Sequence, residues 1–384
     1  MTPMQERLGP NGFGCGTWHR ATFLQQSHLF LSLASDDVAY GYREMWIETG
    51  AREEENQRRV GQLLQSHSAL RSRFALDQDS VIWQVILEGN GANRRRGVPA
   101  GVSSYSALPD ASTPLCHFDV ADSGVRMRFH HALMDEVGVW AVARSLRGEL
   151  ESVDDYERYV AASAAVDDVQ RTVVHADRQL DRIPALLAAE PTVSSRSAPA
   201  VVDVPKRKVD ALRSVARRWS VSEGALWLAL LFFDGGPETD VRFSMPMSLR
   251  GVRQVDFDLV GLFSAANLIR LRCGKDLQST ARNASESLLG TWKTSRGFAQ
   301  YDFVSMTSGQ LAPGPVHFGY VDKPPPGELE HQDFPIDGVY VNISPEPSGD
   351  RRVAVRWPRG WVPVHNFAER WLERIDRVVE GDHQ

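Results

Sequence analysis

The chain has 384 residues, enough for two domains of ordinary size rather than one core. Hydrophobic residues make up 42% and charged residues 24%, a balance that excludes the disordered and fibrous classes. A formal net charge of −6 leaves no basic field for nucleic acid or anionic lipid, and no apolar run approaches the roughly 20 residues of a membrane helix.

The start, Met1-Thr2-Pro3-Met4-Gln5, has no basic region leading into an apolar stretch. The three cysteines, Cys15, Cys116 and Cys273, are far apart and form no C-x-x-C pair, which speaks against zinc and against a disulfide framework. We therefore expect a cytoplasmic protein without a bound metal, acting on a soluble substrate.

Strands and helices intermix along the chain, which predicts an α/β class. Thr22 to Ala34 is rich in β-favouring residues and reads as a strand ending at Ser35-Asp36-Asp37. Glu53 to Phe74 reads as a helix, with Val60, Leu63, Leu64 and Leu70 at helical spacing. Val81 to Leu87 and Val125 to His131 read as strands, and a helix is expected from about Asp135. A Ser/Pro/Ala stretch, Glu190 to Pro199, marks a linker, so we expect one lobe over 1–175, a linker over 176–204 and a second lobe over 205–384.

The second half opens with a helix at about Lys208 to Trp219. Ser220-Val221-Ser222-Glu223 has capping-box spacing ahead of the apolar run Leu226 to Phe233, which is apolar on nearly every face and predicts a buried helix. Strands are expected at Val241 to Met245, Ala266 to Arg272, Val339 to Ile343 and Val353 to Trp357, and a closing helix at Asn366 to Val379.

The most informative stretch is Phe129-His130-His131-Ala132-Leu133-Met134-Asp135. Alternation along a strand puts His131 on the face of Phe129 and Met127, and His130 on that of Arg128. A histidine whose orientation is fixed at a strand end suits proton transfer near neutral pH. Asp135, where the next helix begins, can cap that helix or pair with a cation. On the residues alone, structural histidines with a capping aspartate, a proton-transfer site and a metal site all stand; no further ligand cluster supports the last. Gly12 to Gly16, Arg94-Arg95-Arg96 and Pro324-Pro325-Pro326 read as loops or turns, and His117 and His317 as structural.

The segment resembles the H-H-x-x-x-D-G motif of the condensation domains of nonribosomal peptide synthetases, a family related to chloramphenicol acetyltransferase. Further segments are similar to that family's boxes in the same order: Thr2 to Glu6, Ser66 to Phe74, Thr113-Pro114-Leu115, Leu212 to Arg218, Met245 to Arg250, and Val260 to Arg270. The resemblance covers essentially the whole chain.

It implies two acetyltransferase-like lobes in a V, with the active site at their junction and a tunnel for phosphopantetheine arms. It implies no bound cofactor: an acyl or peptidyl carrier protein delivers the acyl thioester on its phosphopantetheine arm. By the same resemblance His131 deprotonates or orients a small-molecule acceptor, beside His130 and Asp135. Asp135 pairs with Arg250, and Glu136, Gly138, Ala265 and Ala266 are candidates for substrate contact.

Three departures stand out. Glu136 replaces the family's Gly after the motif aspartate, Ala265-Ala266 replaces an Asn-Thr pair, and the chain is shorter than typical members, with no adenylation or carrier segment. The expectation is a freestanding condensation enzyme making an amide or ester bond. An acyl-CoA-dependent transferase of the same fold and an inactive recruitment scaffold are the alternatives.

Overall fold

A computed structural model of the chain describes residues 16–22, 24–26, 28–29, 41–87, 105–108, 114–170, 185–191, 200–235, 238–251, 255–294, 316–321, 328–330, 339–357, 361–364 and 366–381. The Thr2 to Glu6 box, the arginine run at 94–96 and the proline run at 324–326 lie outside them, as do most of Gly12 to Gly16 and of the 190–199 stretch.

Strands β1 (Gly16–Arg20), β3 (Ser72–Asp77), β4 (Ile82–Leu87) and β5 (Tyr105–Leu108) form an antiparallel sheet in the order β1-β4-β3-β5. A second sheet contains β2 (Tyr42–Glu48), β6 (Cys116–Ala121) and β7 (Gly124–His130). Helices α1 (Glu53–Ser66) and α2 (Glu136–Arg147) pack together, α1 also lying on β6 and β7; α3 (Tyr156–Gln170) follows. The alternation that predicts β7 is seen in its burial, since Val125, Met127 and Phe129 enter the core while Arg126 is exposed.

The second half is built on a six-stranded sheet, β11 (Ser264–Cys273), β10 (Thr239–Ser248), β12 (Val316–Tyr320), β14 (Tyr340–Pro345), β15 (Arg351–Arg356) and β9 (Ala200–Val204), in that order. Helix α5 (Glu223–Phe232) is buried from Gly224 to Phe232, as its all-round apolar sequence predicts. Helix α6 (Leu277–Thr294) covers it and β11, while α4 (Lys206–Trp219) packs on α7 (Phe367–Glu380). Part of the expected linker is structured: β8 (Ala189–Pro191) pairs with β16 (Trp361–Pro363), and the valine-rich β9 closes the large sheet.

Two features tie the halves together. Strand β13 (Glu328–Glu330), from late in the chain, adds to the early sheet beside β2, giving the order β13-β2-β7-β6. Leu249, Val255, Leu259, Val260, Leu262 and Phe263 leave the second half to join the core around β7 and α2.

Three sequence expectations change. Leu24–Gln26 and His28–Leu29 are helical, not strand. Thr22 and Gln25 explain this: the Thr22 N–H donates to Gln25 Oε1 at 2.8 Å and the Gln25 N–H to Thr22 Oγ1 at 3.3 Å, a reciprocal cap that starts a helix. The helix from Glu53 ends at Ser66, and Ser72 onward is strand β3. Finally, Ser222 rather than Ser220 caps α5, accepting from the Ala225 N–H; Ser220 instead ends α4 in the left-handed region at φ 57°.

Candidate active site

The site is built on the turn between β7 and α2. Sequence alternation puts His131 on the packed face of β7, but the strand stops at His130 and the pattern breaks there. The His131 N–H, donating to the Gly41 carbonyl at 2.7 Å, makes the last rung beside β2, and the Leu133 N–H, donating to the His130 carbonyl at 3.0 Å, then turns the chain away from the ladder. Ala132, Leu133 and Met134 bury completely beneath this turn. His130 is then the buried member of the pair, while His131 is half-buried.

Hydrogen bonds set the two imidazoles in opposite tautomers. His131 Nδ1 lies 2.9 Å from the Met134 carbonyl oxygen, which can only accept, so Nδ1 carries the proton and the Nε2 lone pair is left as the basic one. His130 Nδ1 instead accepts the Ala132 N–H at 3.1 Å, which puts the proton of the neutral ring on Nε2. The His130 ring meets Tyr42 edge-to-face at 5.1 Å. Burial pushes His131 down to about 4, helped by the Arg43 charge and opposed by the Met134 hydrogen bond and by Asp135. Burial likewise pushes His130 down to about 3, with His131 and Arg43 adding to it.

Asp135 both caps α2 and pairs with a cation. Its Oδ1 accepts the Gly138 N–H at 2.9 Å. Its Oδ2 accepts from Arg250 Nη1 at 2.6 Å and, at 2.9 Å each, from the Phe263 N–H and the Ser264 hydroxyl. Arg250, 1% exposed, also donates through Nη2 to the Leu259 and Gly261 carbonyls at 3.0 and 3.2 Å and lies over the Phe263 ring. The Asp135 N–H donates to the Gly261 carbonyl, so one residue joins turn, helix and the 259–264 segment.

Gly138 is buried against that same segment. A Cβ there would sit 3.0 to 3.1 Å from Met134 Cβ and the Gly261 backbone, closer than ordinary packing allows. Ala265 is fully buried in the core; Ala266 pairs through its backbone with Pro246, and its side chain is outside the described residues.

Glu136 opens the first turn of α2, where its charge favours the helix dipole. Water reaches its side chain, yet the surrounding protein and the neighbouring Asp135 charge hold the carboxyl up to about 7. Exposure and desolvation pull against each other here. A carboxyl open to solvent on one side and walled by protein on the others satisfies both, and it protonates more easily than usual.

Sequence reasoning missed His28. The Thr22-x-x-Gln25 pattern is the local signal for the helix that carries it, and its ring lies 4.4 Å from that of His131. Of the two histidines read as structural, His117 pairs with Asp119 on the surface, and buried His317 bonds the Ser244 hydroxyl at 2.7 Å and stacks on Tyr340. Among the described residues no three His, Cys, Asp or Glu side chains gather to hold a metal ion, and no helix is long and apolar enough to cross a membrane.

The buried histidines give a testable acid sensitivity. His130 and His317 are both held at about 3 by burial, against an ordinary 6.5. Below pH 6.5 the unfolded chain takes up protons that the folded chain refuses, so the stability is fully present above that value and is lost as pH falls toward 3. At pH 5 each of these two histidines withdraws about 2 kcal/mol; the depressed His131 and His28 add to the loss, and Glu136, held up but open to solvent, offsets part of it. Urea unfolding at pH 7.5 and 5.0 should show a loss of stability on acidification that is about 2 kcal/mol smaller in His317→Asn than in wild type. An equal loss in the two proteins would refute the assignment.

No protein-family model matches the chain, and none of the curated proteins matches it. Solved structures do. The condensation domain from Monacolin K polyketide synthase MokA superposes with a TM-score of 0.61 at 13% identity, covering 95% of this chain and 98% of that one. The epimerization domain from the third module of tyrocidine synthetase B gives 0.61 at 15% identity over 97% and 99%. The SgcC5 protein from Streptomyces globisporus gives 0.57 at 15% identity over 94% and 99%. At such identities the likeness speaks to architecture, and over nearly the full length of chain and neighbours alike the architecture is that of the condensation domains of nonribosomal peptide synthetases.

Proposed function

We propose that this protein is a condensation enzyme that joins an acyl group, held as a thioester on the phosphopantetheine arm of a carrier protein, to an amine or alcohol acceptor. The observation that carries this reading is the state of His131: Nδ1 is committed to the Met134 carbonyl, the ring is neutral at pH 7, and Nε2 is its basic atom. The acceptor nitrogen or oxygen attacks the thioester carbonyl, a C–N or C–O bond forms, and the C–S bond breaks. The acceptor's proton passes to His131 Nε2 and then to the departing thiolate. A thioester is already activated, so holding the acceptor in line and moving one proton covers most of the barrier. A base held near 4 takes its proton most readily from an amine that has already added to the carbonyl, whose N–H is far more acidic than that of the free amine. Once the falling free-amine fraction of the acceptor is divided out, acid-limb kinetics should show activity falling only as pH drops toward 4.

The likeness to carrier-bearing synthetases supports the donor class; one such neighbour is a four-domain nonribosomal peptide synthetase of which this chain covers 33%. The SgcC5 structure holds 1-(2-naphthyl)-1,2-ethanediol, an alcohol, which keeps ester formation within the proposal. The exposure of Glu136 at the start of α2, beside the motif, supports selection of acceptors that carry a second, cationic group.

The test is incubation with acyl-carrier-protein and acyl-CoA donors, each with neutral and cationic acceptors, read by mass spectrometry. We expect transfer from the carrier-bound donor and a preference for cationic acceptors that Glu136→Gln removes. Transfer from acyl-CoA alone would move the protein to the CoA-dependent class. No transfer from either donor would leave a recruitment role, and an unchanged acceptor preference in Glu136→Gln would free Glu136 of any part in specificity.

A further inference from the structure

The helix begun by Thr22 and Gln25 is held rigidly against the site. Leu24 and Leu29 are buried in the early core. Gln25 donates through Nε2 to the Tyr159 hydroxyl at 3.2 Å, and Gln84 donates to the same oxygen at 2.7 Å. Tyr159 in turn packs edge-to-face on Phe263 at 6.0 Å, and Phe263, with Tyr159 beside it, leaves no room for a side chain at Gly261. Phe263 and Gly261 are the residues whose backbone groups hold Asp135. The helix is therefore fixed to the same frame that fixes the β7–α2 turn.

From that helix His28 lays its ring on the ring of His131, with centroids 4.4 Å apart and planes inclined at 61°. This is the edge-to-face arrangement that aromatic rings prefer. An imidazole is an expensive choice for such packing: burial, with His131, His130 and Arg43 adding to it, holds His28 well below its ordinary range, and an aliphatic side chain carries no such cost.

His131 has one hydrogen bond that orients its ring, through Nδ1, and a single hydrogen bond fixes the direction of that nitrogen but not the tilt of the ring about it. We propose that His28 is a positioning residue for His131, its ring packing against the His131 ring so that the Nδ1–Met134 bond persists and Nε2 keeps one direction. What His131 does with that lone pair rests on the function proposed above; the contact itself does not.

The test separates the two. Full-length protein labelled with ¹⁵N-histidine reports each ring's tautomer, and the His131 signals are identified by their loss in His131→Gln. In wild type at pH 7, His131 should appear as a single Nδ1–H tautomer. His28→Ala should give an averaged or mixed tautomer with broadened signals, and His28→Phe, which restores a ring, should return the single tautomer. An unchanged His131 spectrum in His28→Ala overturns the proposal, and loss of the single tautomer in His28→Phe as well overturns ring packing as its cause. Both variants are first checked for a wild-type thermal transition.

With a carrier-bound acyl donor, His28→Ala should lower kcat about 10-fold with KM within about twofold, since a misdirected base weakens the chemical step and not binding. An equal change in kcat and KM would point to general damage of the site and count against positioning. If wild type transfers nothing from any donor, the proposed function fails while the spectra still decide the role of His28.

Discussion

His131→Ala should abolish condensation while leaving a folded protein. His131 is half-buried, donates Nδ1–H to the Met134 carbonyl and is neutral at pH 7, so its Nε2 is a ready proton acceptor beside the turn that carries the motif. Losing a general base costs about 10²–10⁴-fold in rate. The fold should survive, because alanine keeps the His131 backbone N–H that donates to Gly41 and gives up only the Nδ1–Met134 hydrogen bond, worth about 1 kcal/mol. His130 offers the contrast. It is fully buried, its Nδ1 accepts the Ala132 N–H, and its ring fills the space beside Tyr42, so His130→Ala should lower stability as well as rate. Single-turnover transfer from an acyl-carrier donor, with thermal unfolding of both variants in parallel, distinguishes them. Turnover within a few-fold of wild type by a folded His131→Ala would end the general-base role.

How much of this was legible in the sequence follows from which signals are local. The alternation of Val125, Met127 and Phe129 announces β7, and Asp135 ahead of an apolar-periodic run announces the cap of α2, because both patterns lie within a dozen residues. The exchange of burial between His130 and His131 was not legible, since it depends on Gly41 and Leu115, from distant strands, accepting the backbone N–H groups at the strand end. Thr22 to Ala34 misled for a different reason. Its β-favouring composition outweighed a two-residue reciprocal cap, and with the helix went His28, among the described residues the one ring in contact with His131 that the motif does not contain. Strand β13, completing a sheet whose other members come from residues 42–130, is beyond any local pattern: its pairing with β2 spans some 280 residues of chain. The resemblance to the condensation family supplied the fold that composition and periodicity could only class as α/β, and the solved structures bear that fold out.

Asp135→Ala should unfold or severely destabilise the protein, by about 3–5 kcal/mol, because it strands the buried Arg250 charge, whose ion-pair partner among the described residues is Asp135. The carboxylate accepts from Gly138, Arg250, Phe263 and Ser264, and all four donors lose their partner together. Arg250, 1% exposed, would keep only the Leu259 and Gly261 carbonyls, with its Nε already without a hydrogen-bond partner among the described residues. The conservative change rescues only part of this. In Asp135→Asn the amide nitrogen must face either Gly138 N–H or the Arg250, Phe263 and Ser264 donors, and in both orientations a donor meets a donor. Asn in the better orientation keeps its oxygen toward Arg250, gives up the α2 cap, worth about 1 kcal/mol, and leaves the buried Arg250 charge without its counter-ion, so it should fall between wild type and Ala. The decisive measurement is a double-mutant cycle with Arg250→Met. Removing both charges should cost less than the sum of the single losses by more than about 1 kcal/mol, since the second change relieves the orphaned guanidinium left by the first. Additive losses in urea unfolding would mean that Asp135 acts as a helix cap alone. The pair would then contribute nothing to joining the β7–α2 turn with the 259–264 segment.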